Sequence, residues 1–182
     1  MQLKYYITIN PVFMKKVALF YSFNSNKTAR LGEKIANAIG ADVVDIFDAE
    51  QVTVDQFMKY DHIIVGVSTW FDGELPIYWD EFVPAIKGLD LKDKQFAIYG
   101  LGDQKGYPEN FNDGVGIFAN LVIERGAKVV GFTDVQGYDF EKSAAIIDGR
   151  FAGLCLDQEN QSKLTDGRIN TWIEQLKKEG FI

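Results

Sequence analysis

From Val17 onward, short apolar runs alternate with stretches whose apolar residues recur every three or four positions. Val17-Ala18-Leu19-Phe20-Tyr21 is a continuous apolar run of strand length, the pattern of a strand buried on both faces. Residues 27–39 carry Leu31, Ile35 and Ile39 at helical spacing, and Gly40 follows as a stop signal. Residues 41–46 predict a half-buried strand and 53–60 a short helix. Strand 62–67, helix 77–87, strand 95–101, helix 112–125 and strand 128–132 follow. The last helix is predicted to start near Thr165, a candidate cap, and carries Ile169, Trp172, Ile173 and Leu176 on one stripe.

This alternation predicts an α/β fold, a doubly wound parallel sheet with helices on both faces. Five strands favour the order 2-1-3-4-5, with a ligand at the edge where the order reverses. Residues 133–153 break the rhythm between strand 128–132 and a second apolar run, Leu154-Cys155-Leu156. A loop of that length in a compact domain is functional or an insertion. The fifth strand is therefore expected to be split by an insertion.

The 182 residues suffice for one domain with a substantial core. Net charge is −7, from 19 basic and 26 acidic residues, which argues against nucleic acid and anionic lipid and for partners with basic faces. Cys155 is the only cysteine, so the chain can form no internal disulfide and no cysteine-ligated metal cluster. Its apolar surroundings predict a buried, inert thiol, compatible with a cytoplasmic location. No apolar stretch approaches the roughly 20 residues needed to span a bilayer. Met14-Lys15-Lys16 leads directly into the first strand, so residues 1–13 are expected to be an upstream extension and 14–182 the domain.

Three loops follow strands one, three and four, at the edge where a ligand is expected. The first, Ser22-Phe23-Asn24-Ser25-Asn26-Lys27-Thr28, opens a helix and offers hydroxyls, amides and free N–H groups to a phosphate. Helix capping by Ser25 or Asn24 is the competing explanation. The second holds Ser68, Thr69, Trp70, Phe71, Asp72, Gly73 and Glu74; the third holds Gly102, Asp103, Tyr107, Asn110 and Phe111. Trp70 and Tyr107 lie among loop formers, where they can wall a flat ring. Two aromatic walls and a phosphate-ready helix start point to flavin mononucleotide (FMN). His62, the lone histidine, begins a strand away from that edge, so no Ser-His-Asp arrangement can form there.

With these loops placed, the chain resembles a flavodoxin of the long-chain type from about Lys15 to its end. The resemblance rests on residues 68–75, residues 102–111, and the tail from Asp148-Gly149-Arg150-Phe151 through Asp157 to Arg168-Ile169. The split fifth strand is the long-chain hallmark. The resemblance implies a flavodoxin-like sheet and non-covalent FMN, with Trp70 and Tyr107 flanking the isoalloxazine. Backbone at Thr69–Gly73 and Gly102–Asp103 would contact ring and ribityl chain, loop 22–28 would hold the phosphate, and Asp157 matches an acidic position beside the cofactor. The phosphate loop departs from the family pattern of Gly, Ser or Thr, any residue, Thr, Gly, any residue, Thr. Phe23 removes a hydroxyl and Asn26 replaces a glycine, while Ser25 and Thr28 keep two hydroxyls and Lys27 adds charge.

The leading expectation is a monomeric, low-potential electron carrier, not an enzyme, that passes electrons between redox proteins with basic docking faces. Asp72, Glu74, Asp103 and Asp157 would disfavour added negative charge on the flavin. An NAD(P)H-dependent quinone or flavin reductase on the same fold is one alternative. A non-redox binding protein on a degenerate scaffold, prompted by Phe23 and Asn26, is another.

Overall fold

The computed structural model describes residues 16–182, so the expected extension 1–13 lies outside the described residues. Five parallel strands stand in the order β2-β1-β3-β4-β5: β1 Val17–Tyr21, β2 Val44–Asp48, β3 His62–Ser68, β4 Gln95–Gly102 and β5 Lys128–Val130. Helices α1 Asn26–Ile39, α2 Val54–Met58, α3 Ile77–Lys87, α4 Asp113–Glu124 and α5 Thr165–Lys178 connect and cover them.

Successive strand residues point to opposite faces, and both faces are buried. Phe20, Val65 and Phe96 pack with Trp79 of α3 and Phe118 of α4 on one side. Leu19, Ile64 and Ala97 pack with Leu31 and Ile35 of α1 and Trp172 and Ile173 of α5 on the other. Helix α1 lies close to the sheet because Gly32 has no side chain: a Cβ there would stand 2.5 Å from the Tyr21 ring and 2.8 Å from the Tyr99 hydroxyl.

The fifth strand is split. β5 pairs with the first half of β4, Gln95–Ala97 against Lys128–Val130, and β8 Leu154–Asp157 pairs with the second half, Tyr99–Gly102. The chain leaves the sheet earlier than the apolar pattern predicts. Gly131 has φ 73°, its N–H goes to the Glu179 carboxylate at 2.8 Å, and the Phe132 carbonyl accepts from Gln175. Between the halves, β6 Ile146–Ile147 and β7 Arg150–Phe151 form a hairpin turning at Asp148-Gly149, both at positive φ, the two-residue geometry that suits the strands' twist.

Two further expectations are corrected. β2 starts at Val44, not 41, because the chain turns after Gly40, with the Val43 N–H on the Gly40 carbonyl at 3.0 Å. Thr165 does not cap α5 with its side chain; it is the first helical residue, and its buried hydroxyl accepts from Gln158. Among the described residues, no helix is long and apolar enough to cross a membrane, and no cluster of His, Cys, Asp and Glu forms a metal site. Burial at Cys155 pushes its thiol pKa up.

Candidate functional site

The strand order reverses between β1 and β3, and the loops leaving β1, β3 and β4 meet at that edge. They enclose a cleft of about 360 Å³, within the roughly 300–1,000 Å³ typical of small-molecule sites. Ser25, Asn26, Lys27 and Thr28 line one end. Ser68, Thr69 and Trp70 line a second side, and Gly102, Asp103 and Tyr107 a third. A smaller cavity of about 130 Å³ adjoins it, lined by Phe71, Asn110 and Tyr107 among others.

The start of α1 is open. Ser25 occupies the cap position but makes no side-chain cap bond; its hydroxyl donates instead to Thr28 Oγ1 at 3.1 Å, which sits 3.2 Å from Ser68 Oγ. Helix capping by Ser25 or Asn24 therefore does not account for this loop. Among the described residues, the N–H groups of Asn26, Lys27 and Thr28 have no acceptor. Three orphan donors on the positive end of a helix dipole form an anion seat. The Tyr99 hydroxyl anchors this turn from the sheet, donating to the Thr28 carbonyl at 3.0 Å. Lys27 pairs with Glu159, which reaches the cleft from the loop after β8.

Trp70 is held by a tight turn. Its N–H and carbonyl exchange bonds with Glu74 at 2.9 and 2.8 Å, with Phe71 at φ 45° and Gly73 at φ 96° inside the turn. Half-buried Trp70 meets Phe71 and Tyr78 edge-on, both at 6.2 Å. Thr69 Oγ1 accepts from the Gly114 N–H at 3.1 Å, and Asn110 Nδ2 donates to the Asp72 carbonyl at 3.2 Å, tying this loop to the next. Phe71 is 70% exposed and Tyr107 60%, so both rings present apolar surface beside the cleft.

Tyr107 is positioned by Asp103 and by the insertion. One Asp103 oxygen accepts from Gly106 N–H at 2.8 Å, Lys105 N–H at 3.1 Å and Asn160 Nδ2 at 2.8 Å. The bond from Gly106, more than those from Asn160 and Lys105, holds the Asp103 carboxyl below its ordinary pKa. The Pro108 carbonyl accepts from Glu141 and Lys142 N–H, both at 2.9 Å, so the insertion buttresses the loop.

Several expected residues stand elsewhere. Phe111 is fully buried, stacked on Phe140 at 5.1 Å and tilted against Tyr138 at 5.3 Å; it belongs to the core. Asp157 is 1% exposed, and its carboxylate accepts from the backbone of Gln104, Glu159 and Asn160 rather than lining the cleft. Ser22, Phe23 and Asn24 lie off the cleft lining, with Phe23 packed on Tyr21 at 5.2 Å. Asp72 and Gly73 shape the Trp70 turn without lining the cleft. Leu101, Gln158 and Glu159 do line it; the Asn160-Gln161-Ser162 run of the tail was the available sequence signal for that segment.

A larger groove, about 450 Å³, lies between the insertion and α5. It does not offer two aromatic walls: its Trp172 is buried with Nε1–H on the Gly131 carbonyl, and its Tyr138 is covered by Arg168 at 4.1 Å.

The family model described as flavodoxin matches residues 19–172. A flavodoxin of Nostoc sp. is 42% identical over 165 residues, covering 91% of this chain and 97% of the relative. One of Haemophilus influenzae is 36% identical over 167 residues, covering 91% and 96%. The crystal structure of Fusobacterium nucleatum flavodoxin bound to flavin mononucleotide superposes with a TM-score of 0.86 at 31% identity, covering 91% of this chain and 99% of that one. The strand order, the split fifth strand and these matches together place the chain in the flavodoxin family.

Proposed function

We propose that the protein is an electron carrier that works with one non-covalently bound FMN. The observation that carries this is the meeting, in one cleft, of the open N-terminus of α1 with Trp70 and Tyr107. The residues fit the cofactor: Asn26–Thr28 N–H groups and the Ser25 hydroxyl suit a phosphate, and the two aromatic rings suit an isoalloxazine. Bound there, FMN supplies one- and two-electron redox chemistry; the protein sets its potential and accessibility. Acidic Asp72, Glu74 and Asp103 near the Trp70 and Tyr107 loops oppose further negative charge and favour a low potential. Among the described residues no donor meets the Phe71 carbonyl inside the Gly73 turn, so it would be available to a hydrogen-bond donor on a bound flavin ring.

Electron carriage implies redox partner proteins as donor and acceptor. The net charge of −7 favours partners with basic docking faces. A cytoplasmic location fits a chain whose one cysteine is a buried free thiol. The test is an anaerobic relay assay with the FMN-loaded protein between an NADPH-dependent reductase and an acceptor. Electron flow that requires both reductase and protein supports the proposal. Rapid bleaching by NADPH with no reductase present contradicts it and points to a reductase instead.

A further inference from the structure

The two halves of the phosphate loop are held differently. The N–H groups of Asn26, Lys27 and Thr28 are open at the cleft, whereas those of Phe23, Asn24 and Ser25 are all taken by side chains. Ser22 Oγ accepts from Asn24 N–H at 3.2 Å and Ser25 N–H at 3.1 Å. The buried Ser22 hydroxyl gives its own proton to Glu50, whose other carboxylate oxygen accepts from Asn24 Nδ2 at 2.7 Å. Asp48 Oδ1 takes the Phe23 N–H at 3.3 Å and the Glu50 N–H at 3.1 Å, which fixes where the Glu50 side chain begins. Glu50 does not line the cleft. This clamp needs a hydroxyl at Ser22, the place where the family pattern has glycine, so it belongs to this chain's own version of the loop.

We propose that Glu50 is a positioning residue for phosphate recognition: through Ser22 and Asn24 it holds residues 22–25 so that Ser25 and the N–H groups of Asn26–Thr28 stand ready for the phosphate of FMN. A loop ordered beforehand loses less entropy when the ligand arrives. The effect falls on the phosphate end alone, so Glu50 governs preference for FMN over riboflavin. The carboxylate has a second, opposite influence, because its charge repels a phosphate. Glu50→Gln removes the charge and keeps an acceptor for Ser22; Glu50→Ala removes both. The proposal rests on the FMN reading, and the wild type tests that reading separately.

The experiment titrates the full apo-chain with FMN and with riboflavin, alongside amide exchange at Asn24 and Ser25 without ligand. In the wild type FMN binds more tightly than riboflavin. Glu50→Ala cuts that preference roughly tenfold, the scale of one lost hydrogen bond to a charged group, and speeds exchange at both amides. Glu50→Gln keeps the preference at or above the wild-type value. Ser22→Ala combined with Glu50→Ala costs less than the two single losses added, because they share one clamp. An unchanged FMN-to-riboflavin ratio in Glu50→Ala, or Glu50→Gln falling as far as Glu50→Ala, overturns the proposal while leaving the FMN reading intact. A wild type without preference overturns both.

Discussion

Replacing Phe111 by Ala separates two roles that sequence proximity confuses. The residue sits four positions after Tyr107 in the cofactor loop, yet its ring is fully buried against Phe140, Tyr138 and Phe151 at centroid separations of 5.1, 5.3 and 6.0 Å. Truncating a buried phenylalanine costs about 3–5 kcal/mol through lost transfer energy and the cavity left behind. All three neighbours come from the insertion, an excursion outside the main sheet that can collapse partway, so the lower end, about 3 kcal/mol, applies. At roughly 2–4 °C per kcal/mol for a domain of this size, the apo-protein melting temperature falls by about 6–12 °C. Thermal and urea unfolding of the apo-protein, followed by circular dichroism, measure this directly. Flavin emission in the FMN-saturated variant stays quenched below its melting point, because Trp70 and Tyr107 remain. A loss of stability below about 1 kcal/mol together with recovered flavin emission refutes the core assignment and returns Phe111 to the cofactor wall.

Trp70→Ala and Tyr107→Ala each restore flavin fluorescence in the residual complex and weaken binding by about 0.5–1.5 kcal/mol beyond lost area; unchanged quenching in both variants refutes the stacking. Asp103 has a lowered folded pKa, so its stabilisation is present above the ordinary carboxylate pKa and is lost as pH falls through the lowered value. Asp103→Asn therefore flattens the acid limb of folding stability, and a wild-type acid profile of unfolding in that variant contradicts the assignment. Gly73→Val forces a side chain onto φ 96° with a Cβ 2.6 Å from Asp113 Oδ2 and 2.7 Å from Asn110 Nδ2. It destabilises the Trp70 turn by about 1–3 kcal/mol and narrows the gap between the two one-electron potentials, both readable by unfolding and spectroelectrochemistry.

Much of this architecture is legible in the chain. Helix α3 occupies the span its pattern predicts, and both halves of the fifth strand announce themselves as separate apolar runs. Boundaries set by turns are less visible: the late start of β2 follows from Val43 bonding back to Gly40. The loops that form the cleft are identifiable because strand C-termini in an open parallel sheet share an edge. The direction of each side chain within them is not. Phe111 and Asp157 neighbour the right loops and point inward, because packing and backbone satisfaction decide orientation. Glu50 and Glu159 escape notice for a different reason: they meet Ser22 and Lys27 across 28 and 132 residues, separations at which local pattern carries no information.

In the proposed function, one cleft joins a phosphate seat to an aromatic clamp for a flavin. Fluorescence titration of the apo-protein with FMN and with riboflavin tests both halves at once. One FMN per chain, strong quenching on binding, and weaker binding of riboflavin with similar quenching are the expected results. Equal affinity for the two ligands, or binding without quenching, contradicts that function.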